Sequence, residues 1–298
     1  MICTLCPRRC GAVRDKSQGA GFCRLPEGML IARIAPHLWE EPPISGSRGT
    51  GAVFFSGCTL RCRYCQNAEI SHRNQGTSFT PRDLAEAMKV LEDMGMQSIS
   101  LITATPFIPQ ILEALSIYRP HLPLVYNTSG YESVETLKML DGVVDVYLPD
   151  FKHVSPRLAQ LCTGTEDYFD VTSRAILEMV RQCGTPSYNG EGIMLRGVLI
   201  RHLILPGCTS DSLRILDWIQ ENLPQEIPVS LMQQYTPYNN VDIPGFQRHI
   251  TSREYHRVSS YLEQLGRPGF RQGPTSADEA FVPSFNAPDS FVYLPQRS

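Results

Sequence analysis

Three cysteines in one short segment have the spacing of a metal centre. Cys58, Cys62 and Cys65 form the pattern Cys-x3-Cys-x2-Cys, and an aromatic residue, Tyr64, precedes the last of them. Three thiolates on one loop can bind three irons of a [4Fe–4S] cluster and leave the fourth iron open to a small molecule. The alternative is a structural zinc site, which would need a fourth ligand from elsewhere in the chain. We refer to these three residues as the motif cysteines.

A second set of thiols precedes the motif, and we call it the N-terminal cysteine set. Its members are Cys3, Cys6, Cys10 and Cys23. Four thiolates suit a closed site, either structural zinc or an auxiliary [4Fe–4S] cluster, and the sequence leaves both alternatives open. Four reduced thiols without a metal are the third alternative. The remaining cysteines are expected to be ordinary buried thiols: Cys162, Cys183 and Cys208.

Composition limits the classes of protein to consider. The chain has 298 residues, of which 42% are hydrophobic and 19% charged, and its formal net charge is −3. This is ordinary globular composition for one large domain or one domain with a small appendage, and the near-neutral charge speaks against a general nucleic-acid binder. There is no apolar run of about 18 residues and no apolar signal-peptide core, so we expect a cytoplasmic protein without membrane spans. Clustered cysteines in a reducing compartment indicate metal or redox chemistry rather than disulfides.

The elements that must position the motif alternate along the chain from residue 49. Predicted strands cover residues 51–56, 98–102, 122–126, 143–148, 193–205 and 229–232. Predicted helices cover residues 81–94, 107–118, 134–140, 156–161, 172–182, 210–222 and 252–265. About six strand–helix repeats imply a parallel sheet with right-handed crossovers, but they are too few for a complete eight-stranded barrel. We therefore predict an α/β fold, a partial (β/α)6 TIM-type barrel.

This reading divides the chain into three regions. Residues 1–48 are predicted to be a loop-rich, cysteine-rich cap, residues 49–272 the partial barrel, and residues 273–298 an extended tail. The motif cysteines directly follow the first strand of the barrel. Ligands bind at the carboxyl ends of strands in such folds, which favours a cluster site over a zinc site.

The motif resembles the signature of the radical SAM superfamily, Cys-x3-Cys-x-aromatic-Cys, at every position. In that family the open iron binds the amino and carboxylate groups of S-adenosylmethionine (SAM). One electron from the reduced cluster then cleaves SAM to a 5′-deoxyadenosyl radical, which abstracts a hydrogen atom from the substrate. The resemblance implies that Cys58, Cys62 and Cys65 bind the cluster and that Tyr64 packs near the adenine of SAM.

The resemblance narrows to the activating enzymes of glycyl-radical enzymes, and within them to PflX-type relatives. Residues 127–131, Asn-Thr-Ser-Gly-Tyr, resemble the Asp-Thr-Asn-Gly stretch of pyruvate formate-lyase activating enzyme. Residues 150–153 and 201–207 resemble its Asp-x-Lys-His and Arg-Tyr-x-x-x-Pro-Gly stretches. Each stretch follows or lies in a predicted strand, in the same order. SAM contacts are therefore implied at Asn127, Thr128, Asp150 and Lys152.

The charges of Asp150 and Lys152 suit the amino-acid part of SAM. Side chains two residues apart in extended backbone share one face. Asp150 is expected to accept from the ammonium group, directly or through a cation, and Lys152 to pair with the carboxylate. The alternative is a surface salt pair beyond the end of a strand.

Two stretches depart from the family pattern. Thr103 and Thr105 stand where the family has Gly-Gly-Glu, and we expect their carbonyl or hydroxyl groups to contact the SAM ammonium. Asn127 replaces an aspartate, which puts a monovalent-cation site built on that carboxylate in doubt.

The family's ribose-contacting histidine is not visible in this sequence. Gln234 or Tyr235 occupies its region and is expected to replace it. His202 is expected either to face the barrel interior, where it would contact the cofactor, or to be a buried core histidine. Arg196 and Arg201 are five residues apart on one predicted strand, so at most one of them can face the interior.

The sequence supports three functions in order of preference. The first is a radical SAM enzyme that abstracts a hydrogen atom, with activation of a glycyl-radical enzyme as its specific form. The second is radical modification of a peptide, nucleotide or small metabolite, and the third is a non-catalytic iron–sulfur electron-transfer protein. A flavodoxin or ferredoxin is the expected electron donor. A cap of residues 1–48 that covers the barrel mouth would favour a small substrate over a glycine loop of a folded protein.

Overall fold

The computed structural model describes residues 2–15, 19–238, 241–271, 283, 285 and 287–295. Most of the predicted tail therefore lies outside the described residues. The strands are β1 (Met29–His37), β2 (Thr50–Phe55), β3 (Thr77–Phe79), β4 (Ile99–Ile102), β5 (Leu124–Thr128), β6 (Val146–Pro149), β7 (Ser187–Tyr188), β8 (Met194–Val198), β9 (Ile200–Leu203), β10 (Val229–Met232) and β11 (Gly269–Arg271).

The helices alternate with the parallel strands, as the sequence predicts. They are α1 (Pro42–Ser45), α2 (Ala68–Ser71), α3 (Pro81–Asp93), α4 (Ile108–Ile117), α5 (Val134–Lys138), α6 (Pro156–Thr163), α7 (Tyr168–Cys183), α8 (Thr209–Asn222) and α9 (Ser252–Gln264). Helix α3 begins where its local sequence requires, because Thr80 and Asp83 form a reciprocal capping box and Pro81 occupies the first turn.

The strands form two sheets that continue one another. The larger sheet has the order β3-β1-β2-β4-β5-β6-β8-β7, and the smaller has the order β11-β10-β9. Strands β2, β4, β5, β6 and β8 are parallel, and so are all three strands of the smaller sheet. A parallel bridge between Asp150 and Arg201 connects the end of β6 to β9. The architecture is the predicted α/β partial barrel.

Two of the differences from the sequence prediction concern strands near the site. The predicted strand 193–205 is two strands, β8 and β9, which belong to different sheets and are separated by Leu199. Strand β1 lies within the range that was expected to be loop-rich and was not predicted. It pairs antiparallel with β2. Its pairing shifts register between Ile31 and Arg33, which disrupts the strict alternation that would have revealed it.

The barrel interior is apolar at the amino-terminal end of the strands. Ile44 of α1 packs there against Val125, Val146, Leu148 and Leu199. Because side chains two residues apart face the same side of a strand, the polar side chains farther along β5, β6 and β9 also face the interior. Among the described residues, no helix is both long and apolar enough to span a membrane.

Candidate active site

A cavity of about 320 Å³ occupies the interior above this apolar layer. Its volume is within the range of small-molecule sites. Its polar and sulfur-bearing lining includes the motif cysteines together with Glu40, Tyr64, Thr103, Asn127, Thr128, Asp150, Lys152, Arg201 and Gln234. Loops that follow several different strands therefore meet at one place.

The motif cysteines lie on the loop that follows β2. Backbone N–H groups of Leu60 and Arg61 approach Cys58 Sγ at 3.3 and 3.5 Å, and Ser71 Oγ lies 3.3 Å from Cys65 Sγ. Such donors stabilise a thiolate and tune a bound cluster. Burial raises the pKa of the Cys58 and Cys62 thiols, although these backbone donors at Cys58 and the Lys152 charge near Cys62 oppose it. The thiols must lose their protons when they bind a metal.

Charged side chains that border the same cavity form a series of ion pairs. Lys152 Nζ lies 2.6 Å from Asp150 Oδ2, and Arg201 Nε lies 2.9 Å from Asp150 Oδ1. Burial alone would raise the pKa of Asp150, but the charges of Arg201 and Lys152 outweigh it and lower that pKa. Burial would also lower the pKa of Lys152, but Asp150 holds it above its ordinary value. All three groups are therefore charged inside the protein.

Glu40 extends this series of ion pairs. It lies in a segment outside the sequence motifs. Its carboxylate accepts from Arg201 Nη1 at 3.3 Å and from Asn127 Nδ2 at 2.8 Å, while Arg201 Nη2 donates to Asn127 Oδ1 at 2.7 Å. Glu40 lies between β1 and α1, and its side chain is 6% exposed. The sequence places it only within the predicted cap of residues 1–48. No spacing signal connects Glu40 to residues more than 80 positions away.

Thr103 has an unusual backbone at the cavity wall. Its φ is 62°, a left-handed conformation that is rare for a β-branched residue, and its N–H donates to Asn127 O at 3.0 Å. Strain of this kind concentrates at functional sites. The left-handed conformation turns the chain after β4, and Thr103 there borders the cavity.

The comparisons with known proteins agree with this geometry. Residues 52–219, more than half of the chain, match the profile of the radical SAM superfamily. The chain belongs to the radical SAM superfamily. An uncharacterised protein of Methanocaldococcus jannaschii is 30% identical over 276 residues, which cover 88% of this chain and 74% of that protein.

More distant relatives of this radical SAM protein are named for an activity. The pyruvate formate-lyase-activating enzyme of Clostridium pasteurianum is 25% identical over 256 residues, which cover 80% of this chain and 99% of that enzyme. The structure of Streptococcus suis SuiB bound to its precursor peptide SuiA superposes with a TM-score of 0.52 at 12% identity, over 74% of this chain and 47% of SuiB. The chain thus spans about half the length of SuiB, and this likeness shows the fold alone.

Radical SAM proteins use a [4Fe–4S] cluster and SAM, and the residues present fit both groups. The three motif thiols border the same cavity as a buried anion and a buried cation. Among the described residues, no three Cys, His, Asp or Glu side chains converge as ligands of one metal ion. A four-iron cluster does not require such convergence, because each cysteine binds a separate iron.

The structure places most of the predicted cofactor residues at the radical SAM cavity. Tyr64 borders it, with its hydroxyl 3.3 Å from His153 Nε2 and its ring against Tyr235. Thr103, Asn127, Thr128, Asp150, Lys152 and Gln234 border it as well. Arg201 is there too, whereas Arg196 donates to Gln182 O outside.

Two predicted contacts lie elsewhere in the radical SAM fold. His202 is adjacent to Arg201 on β9 and so faces the helices, where its ring nitrogens meet Phe151 O at 2.7 Å and Ser212 Oγ at 2.8 Å. Thr105 does not border the cavity, and its hydroxyl donates to the buried carboxylate of Glu132 at 2.6 Å. Both side chains find their hydrogen-bond partners within the protein. The structure therefore favours the interpretation of His202 as a buried core histidine.

The N-terminal cysteine set lies on loops beside the motif cysteines. Cys3, Cys6 and Cys23 are half-buried, and Cys10 is exposed. Whether the set binds a metal stays a prediction, and so does the division of the chain at residues 48 and 272.

Proposed function

We propose that this protein binds a [4Fe–4S] cluster through the motif cysteines and binds SAM across the carboxyl ends of the strands. The cluster supplies the electron that cleaves SAM to a 5′-deoxyadenosyl radical, which abstracts a hydrogen atom from a substrate. The observation that carries this proposal is one cavity that is lined both by three thiols and by the Asp150–Lys152 pair. An electron carrier would have no use for that buried charge pair.

The charged side chains have distinct roles in this proposal. Asp150 accepts from the SAM ammonium group, and Lys152 pairs with the SAM carboxylate. Arg201 already bonds Asp150, Asn127 and Glu40, so it holds these acceptors in place rather than reaching for a ligand. Tyr64 and Gln234 border the cavity, and in this proposal Tyr64 would lie beside the adenine and Gln234 beside the ribose.

The specific reaction that the relatives support is the formation of a glycyl radical on a partner protein. The activating enzyme of Clostridium pasteurianum aligns with this chain over nearly its whole length. The partner would then be a glycyl-radical enzyme, and the electron donor a flavodoxin or ferredoxin. A reducing cytoplasm would keep the thiols available for iron.

A peptide or small metabolite is the second candidate substrate, and the N-terminal region favours it. Arg8 donates to Thr59 O after β2, and Arg14 donates to Pro106 O after β4. Arg63 of the motif loop donates to Asp242 O at 2.6 Å. Two segments thus contact loops at the carboxyl end of the barrel, where they would restrict the access of a folded partner.

The test is an anaerobic assay of SAM cleavage. The protein is reconstituted with iron and sulfide, reduced with dithionite and mixed with SAM, and 5′-deoxyadenosine is quantified. Product is expected from the native protein and not from the Cys58→Ala/Cys62→Ala/Cys65→Ala variant. A reducible cluster that binds no SAM and yields no product would instead indicate an electron-transfer protein.

The substrate class is then separated by adding candidate substrates. With a glycyl-radical enzyme, the expected result is a glycyl radical detected by electron paramagnetic resonance and faster 5′-deoxyadenosine formation. With deuterated peptides or metabolites, deuterium in 5′-deoxyadenosine would favour the second candidate.

A further inference from the structure

The N-terminal cysteine set is gathered into one place by its own backbone. Cys3 N donates to Ala12 O at 2.9 Å, and Arg9 N donates to Cys6 O at 3.1 Å. Cys6 interacts electrostatically with Cys3 and Cys23, and Cys23 interacts with Cys3 and Cys10. The four thiols therefore lie near one another in the folded chain.

Arg8 fixes this region to the loop that holds the motif cysteines. Its guanidinium donates to the carbonyls of Thr59 at 3.1 Å, Thr163 at 2.7 Å and Gly164 at 2.9 Å. It also lies 4.0 Å above the ring centre of Phe22. These contacts join the N-terminal region to the barrel without any metal.

Leu25 packs where the motif loop begins. Gly57 has a φ of 78° immediately before Cys58, and a Cβ at this glycine would lie 2.6 Å from the Leu25 side chain. The region of the N-terminal set thus contacts the motif loop at its first residue as well.

Arg61 lies between the two sets of thiols. Its guanidinium donates to Phe22 O and to His72 O, both at 3.0 Å. It interacts electrostatically with Cys58 of the motif and with Cys23 of the N-terminal set. Arg61 also has a φ of 52°, a conformation that costs energy and persists where the surroundings impose it.

We propose that the N-terminal cysteine set holds a second [4Fe–4S] cluster, which relays electrons to the cluster on the motif cysteines. Four thiolates would occupy all four irons, so this cluster would be closed to SAM. Cys10 is exposed, where an electron donor could approach it, whereas Cys23 lies near Arg61, which also interacts with Cys58 of the motif. This inference rests on the proposed function for its electron acceptor.

The electron balance of the relay is simple. A low-potential one-electron donor, such as a reduced flavodoxin, is oxidised as it reduces the N-terminal cluster by one electron. That cluster returns to its oxidised state when the same electron reduces the motif cluster. No atom or proton is transferred between the two centres. A zinc ion at the same thiols could not take part, because zinc has no redox chemistry.

The first test is the metal content of the intact, anaerobically reconstituted protein. Two clusters require about eight irons and eight sulfides per chain, and one cluster requires about four of each. The expected result is the larger number with no zinc. About four irons, with or without one zinc per chain, would overturn the proposal.

The second test uses variants and the electron paramagnetic resonance of the reduced protein. The Cys58→Ala/Cys62→Ala/Cys65→Ala variant should retain half of the iron and a signal that SAM does not change. The Cys3→Ser/Cys10→Ser variant should retain the other half and a signal that SAM does change. Cys208→Ser, a thiol outside both sets, should retain all of the iron. Loss of all iron from the triple variant would overturn the proposal.

The outcome of these two tests does not depend on whether the protein cleaves SAM. If no 5′-deoxyadenosine forms but the triple variant retains its cluster, the proposed function fails and the second cluster remains. If SAM is cleaved but the triple variant retains no iron, the proposed function remains and the second cluster fails.

Discussion

Asp150 and Arg201 are joined twice. Their backbones form the parallel bridge that connects the larger sheet to the smaller one, and their side chains form an ion pair with Nε and Oδ1 2.9 Å apart. The contact that closes the curve of the barrel therefore also positions the acidic group of the cavity. Fold and site depend on the same two residues.

Replacing Arg201 should weaken both the fold and the site. Arg201→Met leaves Glu40 buried without its cation and removes one of two cations from Asp150. Breaking a buried ion pair typically costs about 3–5 kcal/mol, so we expect a decrease of this order in the free energy of unfolding, measured with urea. Arg196→Met, on neighbouring β8, is the matched control and should change it by about 1 kcal/mol or less. Equal effects of the two variants would contradict this account.

Asp150→Asn should weaken SAM binding. The substitution keeps the shape of the side chain but removes the negative charge between two buried cations. Removing one partner of a buried charge pair costs about 2–5 kcal/mol, which corresponds to a roughly 30-fold or larger increase in Kd. The measurement is equilibrium binding of SAM to reconstituted protein with unchanged iron content. Asp145→Asn, whose partner Arg119 is at the surface, should leave the Kd unchanged.

Glu132 should make the stability depend on pH. Burial raises its pKa from 4.5 to about 7, although hydroxyl donors from Thr105 and Thr128 oppose this. The folded state therefore retains a proton that the unfolded state loses between pH 4.5 and 7. The stabilising contribution is complete below pH 4.5 and is lost as the pH rises through about 7, by about 3 kcal/mol in total.

The difference between wild type and Glu132→Gln isolates this group. The variant cannot ionise, so its stability relative to wild type should increase from pH 4.5 to pH 8 in urea unfolding. A difference that is constant over this range would show that Glu132 does not titrate as described. Glu135→Gln, at an exposed neighbouring position, is the control.

Arg8→Lys should loosen the N-terminal region. A lysine is a single-point donor and cannot reproduce the fork that reaches Thr59, Thr163 and Gly164. We expect faster hydrogen exchange of the backbone amides in residues 2–15 and faster proteolysis there. Arg9→Lys, at the neighbouring exposed position, is the control and should behave like wild type. Unchanged exchange in Arg8→Lys would show that other contacts hold the region.

Much of the site was predictable because parallel strands bring their carboxyl ends together. Short motifs that each follow or lie in a strand must then meet at one edge of the barrel. The spacing of Asp150 and Lys152 also indicated correctly that both face one side. His202 shows the limit of such reasoning, because its direction depends on where β9 begins. The predicted strand 193–205 concealed the break at Leu199 that separates β8 from β9.

The sequence by itself determined the chemistry that local spacing encodes: the motif cysteines, the alternation of strands and helices, and through them the radical SAM superfamily. Only the tertiary structure decided that Glu40 joins Arg201 and Asn127, and that Arg61 lies between two sets of thiols. The physical reason is the range of the interactions. Neighbouring residues determine turns, caps and ligand spacing, whereas buried ion pairs form between residues that only the folded barrel brings together.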